Sequence, residues 1–396
     1  MSAHRGALAA VAAVDQLHGY AFVVLAPEIA RGLGLSTAGL TTVALARGVG
    51  FALVGATVGA AVRAGRARGV ATLGARVRAG ALVVGAATSP VVAATGLAIY
   101  GAAGASVPAA HPQLLRPADR EVHRLAARLG NVAAPVIVGV AAIVAGWRIA
   151  FVAMALVSGA AALRARAFRD DDTGPDDTDR AAERFAAVPG GRTALTLIAA
   201  AAVTEFPLHV LVFAHLGGAL HIGVPGRALF AAVAELIGVV GNVVLGQRTD
   251  ALSARPPRSV ALGLSATVCG GFATLMIAMT VSSPTLAVAA LAVGSVAVSV
   301  VIPFLAIGTR AVLAAAVPRR APLGATAWLA VGLLAVPGGD AVLVVVLAVV
   351  PAAATLAVAR MVIRHPAEAS AILEPAVAKV TSDERMVPTP VALDQT

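Results

Sequence analysis

Runs of about twenty apolar residues recur along nearly the whole chain, separated by short polar breaks, and they constrain the fold more than any other feature. A helix rising about 1.5 Å per residue needs that length to cross the ~30 Å hydrocarbon core of a bilayer. On that ruler, spans are expected at 8–30, 38–62, 69–90, 92–114, 127–146, 148–165, 193–218, 226–247, 258–281, 285–312, 321–337 and 340–363. The breaks carry turn or charge chemistry: Ser89-Pro90, Gly146-Trp147-Arg148, Gly223-Val224-Pro225-Gly226, Ser282-Ser283-Pro284 and Pro337-Gly338-Gly339-Asp340. The N-terminal run, introduced by His4 and Arg5, continues past Asp15 to Ala30 without an evident cleavage site. That is too long for a signal-peptide core and reads as the first span.

Composition supports the same class. Hydrophobic residues make up 59% of the chain and charged residues 13%, where a soluble domain carries about 25% charge. Aromatics are 4%, so the apolar mass is Ala, Val, Leu and Gly, whose small members let helices approach closely in lipid. A lipid-facing barrel would instead show short alternating strands and aromatic girdles. The expected fold class is an all-α membrane protein of twelve transmembrane helices.

The net charge of +10 would suggest nucleic acid in a soluble protein. Here nearly all basic residues fall between spans, so the bilayer is the expected partner and no nucleic acid is. One set of loops holds Arg63, Arg66 and Arg68; Arg116, Arg120, Arg124 and Arg128; Arg164 through Arg192; Arg248, Arg255 and Arg258; Arg319 and Arg320; and Arg364. The alternate loops hold little beyond Arg31, Arg148 and Arg227. By the positive-inside rule both termini are expected in the cytoplasm, in the inner membrane of a bacterium whose Arg-for-Lys usage suggests high GC content. The single Cys269 offers no disulfide framework. His111, His215 and His221 are too scattered for a metal site. With no nucleotide loop or catalytic triad either, neither a cofactor nor an enzyme activity is expected.

The one long polar interruption, 166–191, contains Asp170-Asp171-Asp172, Gly174-Pro175, Asp176-Asp177 and Asp179. It reads as a solvated cytoplasmic linker between a bundle at 1–165 and a bundle at 192–364, followed by a disordered tail at 365–396. The halves echo each other. Gly59 with Arg63, Arg66 and Arg68 after span two parallels Gly246 with Asp250, Arg255 and Arg258 after span eight, and Pro108 in span four parallels Pro303 in span ten. Two related six-helix halves suit a transporter that rocks about a central site.

Four motifs, in order and spacing, give a resemblance. Pro27-Glu28-Ile29-Ala30 before Leu33-Gly34-Leu35-Ser36 is similar to the end of helix one in the major facilitator superfamily. Gly246-Gln-Arg-Thr-Asp250 with Arg255 and Arg258 resembles that family's loop signature after an even helix. Gly130-Asn131-Val-Ala-Ala134-Pro135-Val-Ile-Val-Gly139 resembles the span-five motif of its proton-driven drug exporters, with Ala134 in place of a Gly. Gly146-Trp147-Arg148-Ile-Ala-Phe151 matches the turn into helix six. The resemblance covers 8–364 and implies two pseudo-symmetric six-helix bundles and alternating access. It also departs from the family: Arg63 stands where the first-half loop usually has Asp, and Leu97 or a neighbour replaces the helix-four Arg associated with proton coupling.

Ionisable residues inside spans cost several kcal/mol unless paired or wetted, so each is a functional candidate. Glu205 lies about eleven residues into span seven, roughly 16 Å along it and near the midplane. His209 follows at i+4 and is expected within its reach, with Pro207 loosening the backbone between them. Asp15 and His18 at i+3 form a similar expected pair in span one. The two pairs are candidates for binding the coupling proton; alternatively, Asp15 snorkels to the interface and His18 simply packs. The resemblance adds that helix seven lines the central cavity. Arg47 in span two and Glu235 in span eight either contact a charged substrate or pair with a neighbouring helix. Asp250, Arg255 and Arg258, with Gly246, Gly59 and Arg63, are gating candidates, or else a solvated charged loop. Gly130, Ala134, Pro135 and Gly139 set packing and a bend in span five, and the resemblance implies that they limit leak between the halves. The expected function is secondary active, proton-coupled efflux of a small lipophilic or amphiphilic molecule by a monomer. An importer or facilitator of the same fold, and a non-transporting sensor or scaffold, are the alternatives.

Overall fold

The computed structural model describes residues 3–81, 87–115, 119–169, 186–247, 257–294 and 340–364, with a few positions between 312 and 333. The first apolar span is two helices, α1 (Ala3–Val24) and α2 (Ala26–Leu33). The chain bends at Leu25, with Pro27 in the first turn of α2, where its missing N–H leaves no helical acceptor unpaired. α2 ends at Gly34, whose φ of 65° lies in the left-handed region and returns the Gly34 N–H to the last carbonyls. Ser36 then caps α3 (Thr37–Ala61) by accepting from the Gly39 N–H at 3.1 Å.

A turn at Val62–Arg66, with Gly65 at φ 78°, leads into α4 (Ala67–Ala81). Ser89 caps α5 (Pro90–Gly104) through the Val92 N–H at 3.3 Å, and α6 (Ser106–Leu114) continues it past a break at Ala105. α7 (Arg120–Arg164) covers the fifth and sixth expected spans, and Gly146, with φ 79° and ψ 163°, marks the expected break between them. After the linker come α8 (Gly191–Gly218), α9 (Val224–Gln247), α10 (Pro257–Thr280), α11 (Pro284–Gly294) and α12 (Asp340–Arg364). Among the described residues, six helical stretches are long and apolar enough to cross a membrane. Most of the expected spans ten and eleven, Pro303 among them, and most of the linker and the tail lie outside the described residues.

The packing explains the sequence's preference for small residues. Within the N-terminal group, α1 lies along α7, α3 on α5, and α4 on α6 and α7; within the C-terminal group, α12 packs on α8 and α10. The α3–α5 crossing is a backbone contact: a Cβ on Gly50 would collide with the Ala98 carbonyl, and one on Gly101 with the Arg47 carbonyl. The groups meet where α9 lies on α7, and where α1, α2 and α3 meet α8. A shared core including Phe22, Leu25, Ile29, Leu40, Leu211 and Leu216 runs through that seam. The outer face of α7 is as apolar as the core yet open, with Val144 80% and Leu156 71% exposed. Such an apolar stripe, on a helix long enough to span a bilayer, suits contact with lipid.

Candidate functional site

Between the ends of the spans, the N-terminal group buries a polar cluster around Tyr100 of α5. α4 presents Ala71, Gly74, Ala75 and Arg78 on one buried stripe, a helical spacing that lets α4 approach closely and delivers the guanidinium inward. Arg78, with a side chain 6% exposed, forms an ion pair with Asp15 of α1. Its Cζ lies 5.3 Å from the Tyr100 ring centre, and the Tyr100 hydroxyl donates to the Asp15 carbonyl at 3.2 Å. One turn along α1, His18 Nε2 lies 2.5 Å from Ser158 Oγ, and its ring meets Tyr100 edge-on at 5.2 Å. The Ser158 hydroxyl proton is already given to the Met154 carbonyl at 2.8 Å, so Ser158 accepts and His18 donates from Nε2.

The expected Asp15–His18 pair is therefore not the arrangement found: Asp15 pairs with Arg78 and His18 bonds Ser158. A fixed guanidinium stabilises a buried carboxylate better than an imidazole that has its own hydroxyl partner. Arg78 itself is not among the candidates the sequence suggests. Its signal is the stripe of small residues ending in one Arg, which faces protein rather than lipid or water.

The second cluster lies on the seam. The Tyr20 hydroxyl of α1 donates to the Glu235 carboxylate of α9, and Glu205 of α8 is close enough to act electrostatically on the same tyrosine. From α3, the Arg47 guanidinium lies 4.4 Å over the Phe206 ring of α8 and 5.4 Å from that of Tyr100. Gly19 leaves room beside Arg47: a Cβ there would stand 3.9 Å from Nη1. Arg47, Glu205 and Glu235 are all half-buried. Among the described residues, neither Arg47 nor Glu205 makes an ion pair. Arg47 rests on aromatic faces, which offset only about 0.5–2 kcal/mol of a cation's desolvation. His209 is exposed, and no hydrogen bond joins it to Glu205. The i+4 spacing does not bring the two together: Glu205 is half-buried while His209 faces outward.

Contacts close both ends of the seam. At the end opposite the linker, the Arg227 side chain of α9 is 2% exposed and reaches Glu28 Oε2 at 2.5 Å. It also donates to the Val24 carbonyl at 2.9 Å and the Ile222 carbonyl at 2.6 Å. Gly217 admits this arginine, since a Cβ there would collide with Arg227 and Pro27. Nearby, the Trp147 ring lies on Gly32, joining the turn into the sixth span to the end of α2. At the linker end, Arg63 donates to the Leu313 carbonyl at 3.1 Å and Gly59 lies against the same carbonyl. Of the other gating candidates, Asp250 and Arg255 lie outside the described residues, and Gly246 and Arg258 are described only as helical backbone. Within the span-five motif, Gly130 touches Ala13 of α1, Ala134 is fully buried, and Gly139 touches Ala228 of α9 across the seam, with Pro135 inside the helix.

Comparison with known proteins gives the class from the fold. No family model and no curated protein matches by sequence. Among solved structures, the chain is similar to a bacterial homologue of the human lysosomal transporter Spinster in an inward-facing, unoccupied conformation (TM-score 0.61, 14% identity, 96% of this chain and 91% of that one). It is similar to the nucleoside transporter NupG (TM-score 0.62, 14% identity, 92% and 99%). It is also similar to a POT family transporter in complex with a thioalcohol-conjugated peptide (TM-score 0.63, 12% identity, 91% and 96%). The chain shares the all-helical, multi-pass membrane fold of these transporters. The drug-exporter branch gains no support from them.

Proposed function

We propose that this protein is a major facilitator superfamily secondary transporter, with twelve helices in two six-helix halves and both termini cytoplasmic. It works as a monomer in the inner membrane, exporting a small amphiphilic molecule in exchange for protons. The observation that carries this reading is the set of ionisable groups inside the spans at the seam: Arg47 on the Phe206 ring of α8 from one half, and Glu205 and Glu235 from the other, Glu235 accepting from the Tyr20 hydroxyl. Charges so placed are costly unless they bind something, and a seam between two rocking halves is where alternating access exposes a ligand to each side in turn. Carboxylates are the proton carriers of such a site. The Asp15–Arg78 pair beside Tyr100 supplies, from the neighbouring helix, a basic group next to the helix-four position where Leu97 stands. The span-five motif packs closely on α1 and α9 at Gly130 and Gly139, and its resemblance to the exporters' motif favours the export direction.

Import or facilitated movement on the same fold is the second reading, favoured by the absence of the helix-four Arg and compatible with neighbours that include nucleoside and peptide transporters. Proteoliposomes carrying a solute library and an imposed pH gradient separate the readings. Solute moving opposite to protons supports export by antiport, and solute moving with protons or without regard to the gradient supports the second. Flux of no solute under any gradient would remove both and leave a non-transporting sensor or scaffold.

A further inference from the structure

The seam site is divided by sign. On the N-terminal side, Asp15 neutralises Arg78, which leaves Arg47 as the cation facing the seam. On the C-terminal side stand Glu205 and Glu235, and among the described residues neither is neutralised by a base. Glu205 and Phe206 are consecutive in α8, so the ring that carries the Arg47 guanidinium is next to the residue bearing the carboxylate. Even so, Arg47 and Glu205 do not close on each other. Two opposite charges inside a membrane would collapse into an ion pair if that were the best partner available. Left unpaired on either side of the seam, they complement a ligand with one charge of each sign.

We infer that the transported molecule is a zwitterion, its anionic group on Arg47, its cationic group on Glu205, and an apolar or aromatic body against Phe206 and Tyr20. This rests on the transporter reading and sharpens its substrate class. A simple organic cation would leave Arg47 unanswered, and a simple anion would meet two carboxylates. Each matched charge makes a charge-assisted contact in a partly dry site, so deleting one partner should weaken binding by about tenfold or more.

The test uses the full-length purified protein and probes on one body, each measured by ligand-induced thermal shift at pH 7. The set is phenethylamine as cation, phenylpropionate as anion, and zwitterions of graded charge spacing: phenylalanine, phenylalanyl-glycine and phenylalanyl-glycyl-glycine. At least one zwitterion should bind about tenfold or more tighter than both single-charge probes. Arg47→Gln should cut that advantage over the cation without weakening phenethylamine binding, from which it removes a like charge, with Arg47→Lys retaining the advantage. Glu205→Gln should cut the advantage over the anion. Size-exclusion profiles matching the wild type show that the variants fold. Equal shifts from the cation and the zwitterions, insensitivity to Arg47→Gln, or no shift from any probe overturns the inference. Failure of the transporter reading looks different: the charge-dependent binding persists, but no probe crosses a liposome membrane.

Discussion

Arg227→Met isolates the contact that closes the seam at the end opposite the linker. The guanidinium is 2% exposed and holds Glu28, the Val24 carbonyl and the Ile222 carbonyl together, so α1, the turn after α8 and the start of α9 share one anchor. Removing one partner of a buried ion pair costs about 3–5 kcal/mol. Glu28 keeps some compensation from Arg31 at 3.1 Å, but that arginine is 77% exposed and screened by solvent. The lower end, about 3 kcal/mol, applies. At 1.4 kcal/mol per factor of ten, the closed-to-open ratio at this end should fall about 100-fold. Nitroxide labels at Val144 and Leu229, on α7 and α9 and both exposed, in a Cys269→Ser background, report the separation across the seam. The wild type should give mainly the short distance and Arg227→Met a longer population. Glu28→Gln should add little to Arg227→Met, since both break the same contact. An unchanged distance distribution, or effects of the two changes that simply sum, would refute the latch.

Other substitutions test separate links. Gly50→Val or Gly101→Val forces apart backbones already in contact, costing at least about 1–3 kcal/mol; both should lower the melting temperature in detergent, while Gly69→Ala, facing open space, should not. Asp15→Asn strands the buried Arg78 and should destabilise by about 3–5 kcal/mol, and Asp15→Asn with Arg78→Met should recover most of that in the same melting assay; no recovery would mean that the stranded guanidinium is not the source of the loss. Tyr20→Phe removes the hydroxyl from Glu235 and should leave the melting temperature near the wild type, while changing proton-dependent flux about tenfold, the value of a hydrogen bond to a charged group.

The helices were legible from sequence because length and apolarity set them almost alone: the expected 193–218, 226–247 and 258–281 appear as Gly191–Gly218, Val224–Gln247 and Pro257–Thr280. The break at Gly146 was legible too, since glycine tolerates the conformation found there. The members of the site were only partly so. Glu205, Arg47 and Glu235 stand out as charges in apolar runs, and all three reach the seam. Their partners do not stand out, because pairing depends on helix rotation and on elements far apart in sequence. Local spacing suggested Asp15 with His18 and Glu205 with His209, but Arg78 and Ser158 come from other helices and hold Asp15 and His18 instead, and His209 is exposed away from Glu205. Glu28 and Arg227 went unpaired in the sequence reading for the same reason: one sits inside a motif, the other reads as a loop charge, and 199 residues separate them.

Proton-coupled transport through Glu205 is tested by gradient-driven flux through Glu205→Gln in proteoliposomes, compared with the wild type for a solute the wild type concentrates. The variant should fold and insert into the vesicles as the wild type does, yet lose accumulation driven by the pH gradient. Full uphill accumulation by Glu205→Gln, with an unchanged dependence on the gradient, would contradict it.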